Sequence, residues 1–269
     1  MEKFTLQVFL TLSGFSAASG LVYYKQNLFV IADNSGFLYQ YEVKTKKIIH
    51  HALVENPQHF IPKKDKLDFE AITRKGSELH IFGSGSKRNR CQKIIFNLRS
   101  NETQNLDLTI FYDKIIKETK ISEEDFNIEG ALYYNKNLFL FQRGNGKEAK
   151  NGVVKVSPSQ KISFKHIDLP KINNVSASFT DAILVNGKIY FLASAEDSQS
   201  TYADGKVLGS IFGVLNAKSL EIEKTIQISP HQKFEGITFY KKEKDKMQFL
   251  LCEDNDTEQL EATIYKLEI

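Results

Sequence analysis

The sequence predicts an all-β fold: a five-bladed β-propeller with four-stranded blades, its ring closed by the N-terminal strand in the last blade. Three observations predict it. A short phrase, a polar or acidic residue followed by a small one and then an apolar strand, occurs five times: Ser19-Gly20-Leu21-Val22, Glu70-Ala71-Ile72, Glu129-Gly130-Ala131-Leu132, Asp181-Ala182-Ile183-Leu184 and Glu235-Gly236-Ile237. Successive anchors are 51, 59, 52 and 54 residues apart, and the 34 residues after Glu235 together with the 19 that end at Ser19 make one more period. The repeat therefore closes on itself, with one unit divided between the two ends. Each unit also contains several short strand-like runs separated by turns rich in Asn, Gly, Ser and Lys. About fifty residues per four-stranded unit in a closed ring is the pattern of a propeller.

The elements follow in order. In Lys3–Leu12, the polar residues Thr5, Gln7 and Thr11 interrupt the apolar ones in near-alternation. That is a strand pattern rather than the unbroken apolar run of a secretion signal, and this strand should complete the blade begun by Gly236–Tyr240 and cover its open edge. The first unit reads as strands over Gly20–Tyr24, Leu28–Ala32, Phe37–Val43 and Ile48–Ala52. The second strands of the other units are Leu79–Phe82, Leu138–Gln142, Ile189–Ala193 and Met247–Cys252. Lys114–Asp125 is expected to be a short helix, an insertion that accounts for the 59-residue step. Lys241–Lys246 is mixed in charge and reads as a solvated hairpin tip.

Composition bounds the function classes. The 36 basic and 33 acidic residues of this 269-residue chain leave +3, and no Lys/Arg block is dense enough to predict nucleic-acid binding. No run of about 18 apolar residues is present, so no membrane span is expected. Cys91 and Cys252 lie far apart without metal-ligand spacing and read as small buried apolar residues. The expectation is one cytoplasmic, monomeric domain over 1–269.

The repeat also points at a site. In a propeller blade the innermost strand begins at one face and the second strand returns to it. The five anchors and the turns after the second strands then share one rim of the central channel. Glu70, Glu129, Asp181 and Glu235 are expected to meet there, with Asp33, Ser84, Glu196, Asp197, Glu253, Asp254 and Asp256 around them. Carboxylates crowded into low dielectric need a cation, a basic side chain or a proton. Hard oxygen ligands suit Ca²⁺ or Mg²⁺, with Glu70, Glu129, Asp181 and Glu235 as candidate ligands. Arg143, Lys87, Arg88 and Arg90 are the alternative compensators, or anchors for an anionic ligand. The structural alternative is that each acid merely accepts backbone N–H bonds from the loop entering its blade. The small residue after each anchor fits close approach of neighbouring inner strands. Gly83-Ser84-Gly85-Ser86-Lys87 lacks the spacing of a nucleotide loop but can form a backbone nest for an anion. His231, four residues before Glu235, is a candidate general base. The long turn 195–209 offers Tyr202 and Asp204 as ligand contacts.

The phrases Asp68-Phe69-Glu70-Ala71, Gly83-Ser84-Gly85-Ser86-Lys87, Asn127-Ile128-Glu129-Gly130-Ala131, Gln142-Arg143-Gly144-Asn145, Ser178-Phe179-Thr180-Asp181-Ala182, Leu192-Ala193-Ser194-Ala195-Glu196-Asp197 and Glu235-Gly236-Ile237 resemble a family of uncharacterised bacterial β-propeller proteins, DUF6929-like, over nearly the whole chain. More distantly, the acid-Gly phrase is similar to that of SdiA-regulated and esterase-like phytase propellers and of calcium-dependent lactonases of the gluconolactonase/regucalcin type. In those lactonases inner-rim acids bind the metal that polarises the substrate. Those relatives mostly have six blades, and Ser19 departs from the acid pattern. The resemblance implies a divalent-metal-dependent hydrolase of lactones, esters or phosphoesters. In that reading Glu129 and Glu235 act at the metal and Arg143 stabilises developing negative charge. The competing expectation is a non-catalytic propeller that binds a small molecule or a protein at the same rim.

Overall fold

The computed structural model describes residues 4–197, 205–254 and 260–269. Five four-stranded antiparallel sheets form the blades. From the inside outwards, blade one is Ala18–Tyr24, Asn27–Ala32, Phe37–Glu42 and Lys47–Ala52. Blade two is Phe69–Lys75, Glu78–Gly83, Gln92–Asn97 and Thr103–Asp107. Blade three is Ile128–Tyr134, Asn137–Gln142, Gly152–Val156 and Ile162–His166. Blade four is Ser178–Val185, Lys188–Asp197, Lys206–Asn216 and Ile222–Ser229. Blade five is Lys233–Glu243, Lys246–Asp254 and Glu261–Glu268, and the N-terminal strand Thr5–Ser13 pairs with Glu261–Glu268 as its outermost member. The inner strands of neighbouring blades touch all the way round, including the last with the first. The five-bladed ring closed by the N-terminus is thus observed as the sequence predicts.

Local chemistry explains the hairpins. The turns between inner and second strands hold two successive left-handed residues at Lys25-Gln26, Asn135-Lys136 and Asn186-Gly187. This is the primed geometry whose twist matches that of the flanking strands. The core is divided into five apolar clusters, one between each pair of adjacent blades. Within them aromatic rings join neighbouring blades: Phe179 stands edge-on to Phe141 and Phe191 at 5.2 Å, and Phe249 contacts Tyr190 and Phe212 at 5.1 and 5.2 Å.

Two expectations need correction. The helix is Thr109–Thr119, starting and ending earlier than Lys114–Asp125. Thr109-Ile110-Phe111-Tyr112 has β-prone composition, but Tyr112 is pulled inward by its hydroxyl, which donates to the Gly83 carbonyl at 2.8 Å, and by its packing on Phe126. The chain leaves the helix at Lys120, which is left-handed.

The second correction concerns the repeat register. Every inner strand carries a β-bulge at its start, where one residue is skipped in pairing with the second strand. The skipped residues are Ser19, Glu70, Glu129, Thr180 and Glu235. The bulge residue in blade four is therefore Thr180, and Asp181 sits in the slot that is Gly20, Ala71, Gly130 or Gly236 elsewhere. That slot is small because inner strands meet there. A Cβ on Gly236 would lie 2.8 Å from the Cα of Gly20, and one on Gly130 would lie 3.1 Å from the Cα of Asp181.

Candidate functional site

A bulge bends its strand and re-aims the extra side chain. In blades two, three and five that side chain is a glutamate, and Glu70, Glu129 and Glu235 are all buried and electrostatically within reach of one another. In blades one and four it is a hydroxyl that serves the backbone. Ser19 donates to the Phe69 carbonyl, and Thr180 donates to the Phe234 carbonyl at 2.6 Å. Each hydroxyl thus holds the residue just before the glutamate of the following blade.

The residue two positions before each glutamate lies on the same face of the strand and decides its fate. In blade three Asn127 Nδ2 donates to Glu129 Oε1 at 2.7 Å. In blade five Lys233 Nζ lies 2.7 Å from Glu235 Oε1. In blade two the position is another acid, Asp68, and Glu70 gains no donor.

Two charged networks result. In the first, Arg143 bridges Glu129 at 3.1 Å and Glu196 at 2.8 Å, and Lys233 bridges Glu196, Glu235 and Asp254 at 3.1, 2.7 and 3.4 Å. Burial works against the Arg143 and Lys233 charges, but the surrounding carboxylates outweigh it and hold both protons more tightly than usual. Burial likewise opposes the Glu196 charge, yet Arg143 and Lys233 bring its carboxyl down to about 2. In the second network, Lys66 contacts Asp33 and lies 2.8 Å from Asp68, and Arg90 reaches the other Asp68 oxygen at 2.8 Å. The Ser84 hydroxyl also donates to Asp68. Against the effect of burial, Lys66 and Arg90 keep the Asp68 carboxyl below its ordinary value. Burial lifts Asp33 to about 6, with Lys66 opposing and Asp254 and Asp68 reinforcing.

Glu70 makes no direct contact in either network, although its charge reaches Lys66 of the second. It is 8% exposed, and among the described residues its carboxylate has no hydrogen-bond or ion-pair partner. Burial raises it well above the carboxylate range, and Glu129, Asp68, Glu235 and Asp33 push the same way. Oxygens of Asp33, Asp68 and Glu70 lie within 4.8 Å of one another, a grouping that can hold a cation. One of its donors, Asp33 Oδ1, is buried without a hydrogen-bond partner. Two hard oxygen donors, on Asp33 and Glu70, are thus unspent, and the residues fit Ca²⁺ or Mg²⁺.

Of the expected site residues, the structure brings together Asp33, Glu70, Ser84, Glu129, Arg143, Glu196, Glu235 and Asp254. It places others elsewhere. Both Asp181 oxygens are taken by backbone N–H groups, of Ala182 at 2.7 Å and of Ile237 at 2.8 Å, so this acid staples blade four to blade five. Burial raises it well above the carboxylate range, with those two N–H groups opposing. Asp181, expected to share a cation with the three bulge glutamates, thus spends both oxygens on backbone N–H groups, while the charge of Glu129 still reaches it and pushes its carboxyl further up. Glu253 alternates away from Asp254 and accepts a bond from the Tyr265 hydroxyl at 2.6 Å. Lys87 is exposed beside a surface recess of about 290 Å³ lined by Gly85, Ser86, Arg88, Tyr112 and Glu123. Asp197 and His231 are exposed. The nest expected at 83–87 is spent internally: the N–H groups of Ser84, Gly85 and Ser86 bond Asp68, Arg90 and Ser84. Tyr202, Asp204 and Asp256 lie outside the described residues.

Sequence reasoning missed Lys66 and Lys233 and passed over Asp68 as a site residue. For Asp68 and Lys233 a signal exists: position minus two from the bulge is Asp, Asn or Lys wherever the bulge is Glu. Lys66 comes from the loop between blades one and two and carries no repeat signature.

Comparison with known proteins gives the fold independently. The chain is similar to the major allergen Mala s 1 of Malassezia sympodialis, at 11% identity and TM-score 0.57 over 93% of this chain and 92% of that one. It is similar to a GH32 β-fructofuranosidase of Bombyx mori at 10% identity and TM-score 0.57, over 97% of this chain and 61% of the other. It is also similar to glutaminyl cyclase of Myxococcus xanthus, at 11% identity and TM-score 0.53 over 98% and 96% of the two chains. No curated protein matches the sequence. A family model matches residues 14–269, and the chain belongs to that family, the family of unknown function DUF6929.

Proposed function

We propose that the rim is a small-molecule site and that it acts as a divalent-cation-dependent hydrolase of lactone, ester or phosphoester bonds. The observation that carries the reading is Glu70. Around it every other bulge acid has a donor, and burying an unpaired carboxylate is costly unless a cation, a proton or a ligand compensates. Asp33, Asp68 and Glu70 would hold the cation, whose chemistry is to polarise a substrate oxygen and to acidify a bound water. Lys66 and Arg90 orient Asp68 through the bonds described above. Arg143 and Lys233 present fixed positive charge beside the same rim, suited to a substrate that gains negative charge as it reacts.

The test is a titration of the full chain with Ca²⁺ and with Mg²⁺, read by thermal unfolding, followed by a panel of lactone, ester and phosphoester substrates. The expected result is a rise in Tm with one of the cations that is lost in Glu70→Gln, and turnover that depends on the same cation. No Tm shift with either cation would remove the metal from the reading, and no turnover across the panel would remove the hydrolase. A second reading, a non-catalytic binding propeller, draws on the saturation of Arg143 and Lys233 by Glu129, Glu196, Glu235 and Asp254. It predicts ligand-induced stabilisation without turnover.

A further inference from the structure

The inner strands begin at the rim and end on the other face of the disc, in the hairpins that lead to the second strands. Aromatic rings and cations alternate across those ends. Lys241 stands 5.4 Å from the centroid of the Tyr240 ring in blade five, and Tyr240 meets the Tyr23 ring of blade one edge-on at 4.9 Å. The next residue, Tyr24, carries Lys25 at 5.3 Å and Arg74 of blade two at 4.3 Å from its ring centroid. Lys75 then lies 4.8 Å from the centroid of the Tyr133 ring of blade three. The result is one continuous arc over four blades. Lys25, Arg74 and Lys75 are exposed, as are Lys136 and Lys242 just beyond its two ends. Among the described residues none of these five makes an ion pair. The acids of the same hairpins are Glu78, Glu243 and Asp245. Glu78 pairs with His80 at 3.0 Å and Glu243 with Lys241 at 2.5 Å, which leaves Asp245 at the tip of blade five. The arc shares no residue with the rim.

Turn chemistry does not account for these cations. A tight hairpin needs left-handed residues, which Gly and Asn supply at least cost, yet Lys25, Lys136 and Lys244 hold φ of 48°, 64° and 53°. The rim gathers carboxylates and this face gathers ammonium groups, a polarity that the net charge of +3 conceals. We propose that the arc is a docking surface for an acidic segment of a partner protein, rich in Asp and Glu. Carboxylates complement exposed cations that have no acid of their own, and Tyr and Arg are enriched at protein interfaces. The cations sit on short hairpins and against aromatic rings, so little ordering is left to be done on binding. Single-stranded nucleic acid fits less well. It binds by stacking bases on open aromatic faces, and here the chain's own cations stand over Tyr24, Tyr133 and Tyr240. A membrane surface also fits less well, since the exposed large apolar side chains, Val8, Ile49, Phe60, Ile110, Ile222 and Leu260, all lie outside these hairpins.

The experiment titrates a fluorescently labelled oligoglutamate peptide with the full chain and reads its anisotropy at low and at physiological salt. Binding is expected at low salt and should weaken as salt rises. Lys25→Glu combined with Lys75→Glu should weaken it by about tenfold. Lys64→Glu combined with Lys147→Glu makes the same change in net charge on exposed lysines of the rim side and should leave binding unchanged. Lys25→Gln combined with Lys75→Gln removes the two charges without adding any, should also weaken binding, and carries the test if the glutamates disturb the hairpins. No binding at low salt would overturn the proposal. So would equal losses in the two glutamate pairs, which would make net charge the whole effect. Tighter binding of an oligothymidine of equal length, or of vesicles containing phosphatidylserine, would put nucleic acid or a membrane in place of the acidic segment and overturn it as well.

Discussion

Blades two and five present the same bulge glutamate in the same backbone frame and treat it in opposite ways. In both, the carbonyl just before the glutamate accepts a hydroxyl bond from the preceding blade, Ser19 to Phe69 and Thr180 to Phe234. In blade five the residue two positions earlier is Lys233, which holds Glu235 and links it to Glu196 and Asp254. In blade two it is Asp68, which spends itself on Lys66, Arg90 and Ser84. Glu70 is left as an acid among acids. One side chain therefore decides whether a repeated glutamate is an internal strut or an unsatisfied group open to a ligand.

The largest expected effect is on blade five. Lys233→Met leaves Glu235, Glu196 and Asp254 without their shared cation and should cost about 3–5 kcal/mol of unfolding free energy. Removing the lysine of the other network, Lys66→Met, should cost less, since Arg90 and Ser84 still serve Asp68. Urea denaturation of the two variants measures the difference. Equal losses would break the comparison.

The next effect sets the two bulge glutamates side by side. Burial raises the Glu235 carboxyl well above the ordinary range as well, with Lys233 opposing and Asp254 and Glu129 reinforcing, so Glu235→Gln weakens the contact with Lys233 but should cost less than Lys233→Met. Glu70→Gln should stabilise in cation-free buffer. Its folded carboxyl is raised well above the ordinary range by burial and by Glu129, Asp68, Glu235 and Asp33. The folded protein then binds a proton that the unfolded chain releases, and wild-type stability falls as pH rises above about 4.3, the unperturbed glutamate value. Glu70→Gln escapes that loss, so its Tm advantage over wild type should be near zero at pH of about 4 and grow as pH rises. A variant advantage that does not grow with pH would place a cation partner on Glu70 even in chelator-treated protein.

This contrast explains how far the sequence could be read. Blade number, ring closure and the shared rim were legible because they rest on period and alternation, which the backbone imposes on every unit. The bulge was half legible. The glutamates and the small residue after them were visible, but Thr180-Asp181 could be aligned in either of two registers, and the acid was chosen where the hydroxyl was structurally equivalent. What the rim does with its charge was not legible. Lys66 arrives from an irregular inter-blade loop, and Arg143 meets Glu196 only once blades three and four are closed against each other. Such partnerships depend on spatial neighbours that share no spacing in the chain.

The smallest expected effect tests the shared frame itself. Ser19→Ala and Thr180→Val each delete one hydroxyl that donates to a buried carbonyl at a bulge. Each should cost about 1 kcal/mol, the scale of one net hydrogen bond. If the frame is common, the two losses agree, because Phe69 and Phe234 are both fully buried and sit at the same bulge position. The two variants should differ only downstream. Releasing Phe234 leaves Glu235 tied to Lys233, so the ion pair resists any shift of the strand. Releasing Phe69 frees a glutamate with nothing else to hold it, and Ser19→Ala should weaken any cation-induced rise in Tm while Thr180→Val leaves it intact. Thermal unfolding of both variants with and without Ca²⁺ separates the two contributions. An equal loss of the cation effect in both would mean that the bulges act as one ring, and that blade two holds no separate site.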